Sequence, residues 1–244
     1  MSRYILPALL LAGTVLFTTS CRRNILRGEG AKGTTDAQVT TFNGVDIDLP
    51  VKTSITVTAG TQPGVKFTGY ENIIKHLRTK VVDGILTITT DLDETWDIDV
   101  DGVTVEVTMP AITELDLSGS SDADIHGNVT GSNFDLSISG ACNVVIDNIN
   151  TDTFSSDVSG AASIEVKAGA VRVVNYEIAG AGKIKAFPLH TMETNASISG
   201  AGKAEVMAEQ KLNADISGAG YIKYKGHPSV TQEIAGAGSV SAVE

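Results

Sequence analysis

At 244 residues, 42% of them hydrophobic, the chain is long enough for one or two domains with a real core. Its 29 acidic residues against 18 basic ones give a formal charge of −11, which leaves no electrostatic basis for binding nucleic acid. Only 5% is aromatic while 25 residues are glycine, so the core must rest on small and β-branched side chains rather than large rings.

Residues 1–20 read as a secretory signal peptide. Arg3 supplies the positive start, and residues 5–17 (ILPALLLAGTVLF) form an apolar run too short to span a bilayer but suited to a signal sequence. Thr18-Thr19-Ser20 then lead into Cys21. This resembles a bacterial lipoprotein signal, in which cleavage leaves the cysteine as the lipidated first residue. Thr18 stands where leucine is common in such signals; the plainer alternative is an ordinary signal peptide with Cys21 incidental. Cys21 and Cys142 are the only cysteines, so an acylated Cys21 leaves no disulfide within the mature chain. Cys142 reads as a small packed residue. The polar stretch that follows (RRNILRGEGAKGTTDAQ) makes residues 21–38 an expected lipidated tether, with a reach of roughly 20–25 Å if flexible.

Residues 39–112 look like strands punctuated by turns, the irregular first coils of a domain running from 39 to 244. Val45, Ile47 and Leu49 alternate with Asp46 and Asp48, and Ile55 to Thr58 repeats that period of two. Gln62-Pro63-Gly64 is a turn signal, residues 72–80 (NIIKHLRTK) carry a short helical spacing, and Val81 to Ile88 reads as strand, Asp-Gly turn, strand. The acidic stretch 91–102 places Asp97, Asp99 and Asp101 before Gly102, like the opening of an EF-hand loop. Thr108 stands where that loop needs its bidentate glutamate, and Trp96, Ile98 and Val100 interleave the aspartates as on a strand. A solvated acidic strand face is the expectation, with a weak cation site there left open.

Residues 113–244 hold seven copies of one phrase: an aliphatic residue, Ser or Ala, then Gly, usually followed by Ala-Gly. The first glycines are Gly119, Gly140, Gly160, Gly180, Gly200, Gly218 and Gly236, at intervals of 21, 20, 20, 20, 18 and 18 residues. Two residues before each stands Leu117, Ile138, Val158, Ile178, Ile198, Ile216 or Ile234, preceded in turn by a polar residue. Positions four and six after each glycine are mostly apolar, with a mostly polar residue between. Each repeat is thus strand, small-residue corner, strand and variable turn. No helical stripe fits, and a propeller blade needs about 40 residues. What remains is an all-β fold, a single-stranded parallel β-helix with coils of 18–21 residues. Seven coils at about 4.8 Å each make a rod roughly 35 Å long.

Gly-Ala-Gly-Lys at 180–183 and 200–203 lacks the rest of a phosphate-binding loop, since Glu177 and Ser197 stand where its earlier glycine belongs. His76, His126, His190 and His227 fall at unrelated repeat positions with no nucleophile motif nearby, so neither catalytic residues nor a cofactor are expected.

The Ile-Ser-Gly-Ala-Gly phrase at this spacing closely resembles the bacterial family described as "putative auto-transporter adhesin, head GIN domain". So do Gln62-Pro63-Gly64-Val65, Tyr70-Glu71-Asn72-Ile73-Ile74 and Asp83-Gly84-Ile85-Leu86-Thr87-Ile88. The resemblance covers about residues 39–240. It implies a single-stranded β-helix, often on lipoproteins of Bacteroides-like bacteria, and brings no active-site residues.

The expected function is that of a non-enzymatic envelope lipoprotein, held in a membrane by Cys21, whose rod binds a protein or polysaccharide partner. Two alternatives stand beside it. One is a carbohydrate-active β-helix enzyme, which would need clustered carboxylates, whereas the outward positions read as alternating acids and lysines. The other is a self-assembling structural protein that joins through its coil ends. Arg22-Arg23 after Cys21 lacks an acidic run and tilts the expected side of the outer membrane toward the periplasm.

Overall fold

Each glycine phrase folds as the sequence pattern demands, because a strand that alternates apolar and polar residues can bury one side only by stacking on its own kind. The computed structural model describes residues 24–244 except Glu94. Cys21, the signal peptide and Arg22-Arg23 lie outside the described residues. The chain is almost all β and forms a solenoid of about six turns.

Residues preceding each glycine stack in register to make a first face: Leu117 beside Ile138, Ile138 beside Val158, and on through Ile178, Ile198, Ile216 and Ile234. Residues following the glycine make a second face, from Ala123 through Val144, Ile164, Ile184, Ala204 and Ile222 to Val240. Between the faces runs one continuous core. Phe134 stacks on Phe154 with ring centres 5.6 Å apart, and Phe154 meets the edge of Tyr176 at 5.9 Å.

Two kinds of glycine hold the corner. Gly200 has φ +127°, and a Cβ there would lie 2.5 Å from the carbonyl oxygen of Gly180 in the layer below. Gly202 is different: its Cβ would lie 2.7 Å from Cγ2 of Ile178. The column it belongs to therefore admits Ser121, Cys142 and Ala162 early and becomes Gly182, Gly202, Gly220 and Gly238 later. Cys142 is buried there, as its small neighbours suggest.

The variable turn of the sequence reading contains a third short strand. Residues 128–131, 148–151, 169–171 and 189–191 pair in parallel, layer on layer. This explains the drop in period from 20 to 18. In the next layer the chain cuts the corner, with the Glu209 N–H donating to the Thr191 carbonyl (2.9 Å) and the Gln210 N–H to the Met192 carbonyl (3.0 Å). The buried Thr191 and Thr194 hydroxyls both donate to the Met207 carbonyl at this step.

The first third departs most from expectation. Gly44–Ile47 and Lys52–Val57 form a regular layer against Glu114–Gly119 and the start of Asp122–Gly140. The layer beyond it comes from later in the chain, Ile85–Thr90 and Thr104–Met109. Antiparallel strands close that end: Gly64–Tyr70 on Thr104–Met109, Lys32–Ala37 on Gly64–Tyr70, and Leu77–Val82 on Ile85–Thr90 through a turn with Asp83 at φ 51° and Gly84 at 82°. Half of the stretch expected to be a tether is therefore strand, since Asn24–Leu26 also pairs with Trp96–Ile98. Lys32–Ala37 (KGTTDA) has no apolar pattern because it is an edge strand with little to bury, which is why its composition reads as a linker. The helical spacing at 72–80 yields a single turn, Glu71–Ile74, that buries Ile73 and Ile74. Of the acidic stretch, only Trp96–Ile98 is strand; Asp99 and Asp101 stand in a turn, where the Asp101 N–H donates to the Asp99 carboxylate (3.1 Å).

Candidate functional site

On the first face the polar residue three before each glycine points outward, and parallel in-register stacking turns that position into a column. From one layer to the next it runs Asp46, Asp116, Ser137, Asp157, Glu177, Ser197, Asp215, Glu233. Layer spacing places neighbours about 4.8 Å apart along the rod. Alongside stands a ladder of amides, in which Asn195 Nδ2 donates to Asn175 Oδ1 (2.9 Å) and Asn213 Nδ2 donates to Asn195 Oδ1 (2.6 Å). Asn195, in the middle, both donates and accepts within the ladder, while Asn175 accepts and Asn213 donates. The ladder and the acid column together line a groove of about 560 Å³ between Ser155 and Glu233. A second hollow, of about 330 Å³, continues it from Asp157 back to Asp46.

The acid end of this groove is electrostatically loaded. Burial first, then Asp116 and Asp48, raises the Asp46 carboxyl above the usual carboxylate range. Burial, followed by Asp116, Asp135 and Asp46, raises Glu114. The Ser118 hydroxyl donates a hydrogen bond to the Asp48 carboxylate (2.6 Å). Two acids elsewhere are held by cationic partners. Lys167 at 2.9 Å and His126 at 3.0 Å hydrogen-bond Asp147 and hold its carboxyl low. His76 and Arg78 do the same for Asp91. His190 sits 3.5 Å from Glu209 and His227 is exposed, so the four histidines are all surface groups in separate places.

The lysines collect on the second face. Lys183, Lys185, Lys203, Lys223 and Lys225 share the Lys183–Lys185, Lys203–Met207 and Tyr221–Lys225 strands with one carboxylate, Glu205. Down the column five residues after the glycine, acids and lysines alternate as the sequence reading expected, with Glu165 beside Lys185, Lys185 beside Glu205 and Glu205 beside Lys223. Among the described residues no group of three or more His, Cys, Asp or Glu side chains is placed to hold a metal ion, Asp97, Asp99 and Asp101 included. Column reading outward from the glycine to positions −3 and +6 missed the asparagine ladder at −5 and Lys225 at +7. The signal was present, since Asn175, Asn195 and Asn213 stand the same distance before three successive glycines.

Residues 41–228 match the family described as "putative auto-transporter adhesin, head GIN domain". The chain belongs to this family. Solved structures agree on the fold of the GIN-domain chain. A "putative adhesin" from Bacteroides fragilis NCTC 9343 is 21% identical with a TM-score of 0.77, covering 89% of this chain and 100% of that one. A "putative lipid binding protein" from Parabacteroides distasonis ATCC 8503 is 22% identical with a TM-score of 0.76, covering 91% and 100%. A "putative adhesin" from the same organism is 26% identical with a TM-score of 0.72, covering 90% and 100%. No match is found among curated proteins. The family description accords with a binding protein of the envelope or cell surface. Among the described residues no helix is long and apolar enough to cross a membrane.

Proposed function

We propose that this GIN-domain chain is a non-enzymatic cell-envelope lipoprotein, anchored in the outer membrane by acylation of Cys21, whose rod adheres to a protein or polysaccharide. The observation that carries the binding reading is the groove of about 560 Å³ along the first face. Its walls are repeated columns of amides, hydroxyls and carboxylates on rigid strands, which suits recognition of an extended partner at several equivalent points. The family description of an adhesin supports the same reading. Cys21 and the apolar run before it support the anchor.

Two measurements test the two parts. Cys21→Ser should move the protein from the membrane fraction to the soluble one and abolish incorporation of labelled fatty acid; unchanged labelling sinks the anchor. A glycan array and a cross-linking pull-down with the chain from Arg22 onward should give a partner that is lost in Asn195→Ala/Asn213→Ala. Protease treatment of intact cells then decides between the periplasmic side and the outside.

A second reading rests on the last coil. Every residue of Ser229–Gly236 is exposed, and Val230 and Ile234 keep 37% and 39% of their surface accessible. Such an edge can pair with another chain, making the rod self-assembling. Light scattering should then show mass rising with concentration, and a strict monomer at high concentration removes this reading.

A further inference from the structure

The lysine-rich second face is unlike the rest of this acidic chain. Lys183 and Lys203 are in-register neighbours on adjacent strands, so two like-charged side chains leave backbones about 4.8 Å apart. The Lys203 and Lys223 ammonium groups flank the half-exposed Tyr221 ring, 5.2 and 5.6 Å from its centre. The Lys225 ammonium lies 5.5 Å from the centre of the Phe187 ring. Lys185 is the one member of the group with a carboxylate partner, Glu165 at 3.1 Å. Lys183, Lys203, Lys223 and Lys225 make no ion pair among the described residues, although Glu205 stands in register between Lys185 and Lys223. Cations left unpaired beside one another raise the energy of the free protein, and an anion lowers it.

We propose that this face binds an anionic polysaccharide, a sugar chain bearing carboxylate or sulfate groups, with a sugar ring against Tyr221 and acid groups on Lys183, Lys203, Lys223 and Lys225. Repeated cations along the rod suit a polymer that carries charge at intervals, and an aromatic edge between ammonium groups suits a sugar. The acid column on the first face repels the same polymer, so the rod can engage it from one side only. This inference rests on the reading of the chain as a binding rod and assigns its partner chemistry to a face separate from the groove.

The test uses the chain from Arg22 onward with polygalacturonate and dextran sulfate as probes and neutral dextran as control, by calorimetry at low and high salt. Both polyanions, or one of them, should bind, neutral dextran should not, and salt should weaken the binding. Lys203→Gln/Lys223→Gln/Lys225→Gln should weaken it about tenfold or more. The same three positions changed to Arg should retain it. Lys75→Gln/Lys80→Gln/Lys211→Gln, with an equal loss of charge elsewhere, should change it by less than about twofold. Thermal melts confirm folding, and Lys203→Gln alone serves if the triple variant does not fold. No polyanion binding at low salt overturns the proposal, as does equal weakening by both Gln triples. Binding only to phosphatidylglycerol vesicles assigns the face to a membrane and overturns it. Oligomers abolished by the Lys203/Lys223/Lys225 variant assign it to a second copy and overturn it too. A partner captured through the groove while polyanions fail leaves the binding reading intact and removes this inference alone.

Discussion

Buried hydroxyls separate two ways of filling a narrow core. Thr191 and Thr194 occupy the step where the period shortens, and both donate to one carbonyl, so their burial is compensated. Ser156 and Tyr176 occupy one inward column, flanked by Leu136 and Ala196, and their hydroxyls have no partner among the described residues. Tyr176 serves there as an aromatic body that continues the Phe134–Phe154 stack, and burial pushes its phenol well above the ordinary value. A buried hydroxyl without a partner costs about 1–3 kcal/mol. Tyr176→Phe keeps the ring and removes the cost, so it should leave stability unchanged or raise it by up to about 2 kcal/mol. Thermal unfolding by circular dichroism reads this directly; a loss above about 1 kcal/mol would mean the hydroxyl is engaged after all. The corner gives the opposite case. Gly200→Ala forces an L-residue to φ +127° and sets its Cβ 2.5 Å from a backbone oxygen that cannot swing aside. It should cost at least about 2 kcal/mol, whereas Ala201→Gly, one position on and exposed, should cost far less.

The outward column of the first face couples elements that the sequence places far apart. Asp46 and Asp116 are 70 residues apart in the chain and adjacent in the sheet. Folding raises the carboxyls of Asp46 and Glu114 by burial and by Asp116, so both bind protons more tightly in the folded chain. A group raised in this way opposes folding when ionised; its penalty is complete at neutral pH and fades as pH falls through its folded value. Asp116→Asn should therefore stabilise the protein at pH 7 by a few tenths to about 1 kcal/mol, allowing for solvent screening. The gain should shrink in urea titrations run at about pH 4. Asp147 behaves inversely. Lys167 and His126 lower it, so its contribution is present at neutral pH and lost as pH falls through its folded value. The regular coils were legible because a parallel solenoid repeats each side-chain environment in every layer, leaving Ile138 and Ile198 under the same constraint. The acid column was legible as a column of polar residues. The edge strand Lys32–Ala37 was hidden because covering an edge needs backbone more than an apolar pattern, whereas the Asp-Gly turn marked the hairpin of Leu77–Val82 with Ile85–Thr90.

The two ends of the rod are built differently, and this predicts how it comes apart. Stability in a stack of coils is close to a sum over layers and the interfaces between them. At one end the Gly44–Ile47 and Lys52–Val57 layer is gripped on both sides, by strands from 85–109 and from 114–127. Hydrogen bonds across about 70 residues tie it down, from Asn43 to Thr113 (3.0 Å) and from the Ser121 hydroxyl to the Leu49 carbonyl (2.7 Å). At the other end Ser229–Gly236 and Ser239–Ala242 pair along one edge among the described residues. Amide hydrogen exchange should therefore be fastest over 229–242, slow progressively through the regular coils, and be slowest in 44–57 and the strands beside it. Deleting 229–244 removes only the outermost pairing, so cooperative unfolding should survive with a melting temperature lower by about 2–4 °C per kcal/mol lost. Deleting 24–57 removes a layer that two others require and should leave no cooperative transition. Equal protection along the chain, or collapse of the fold on C-terminal deletion, would mean that the coils act as one indivisible block, because neighbouring layers alone could not carry the loss so far.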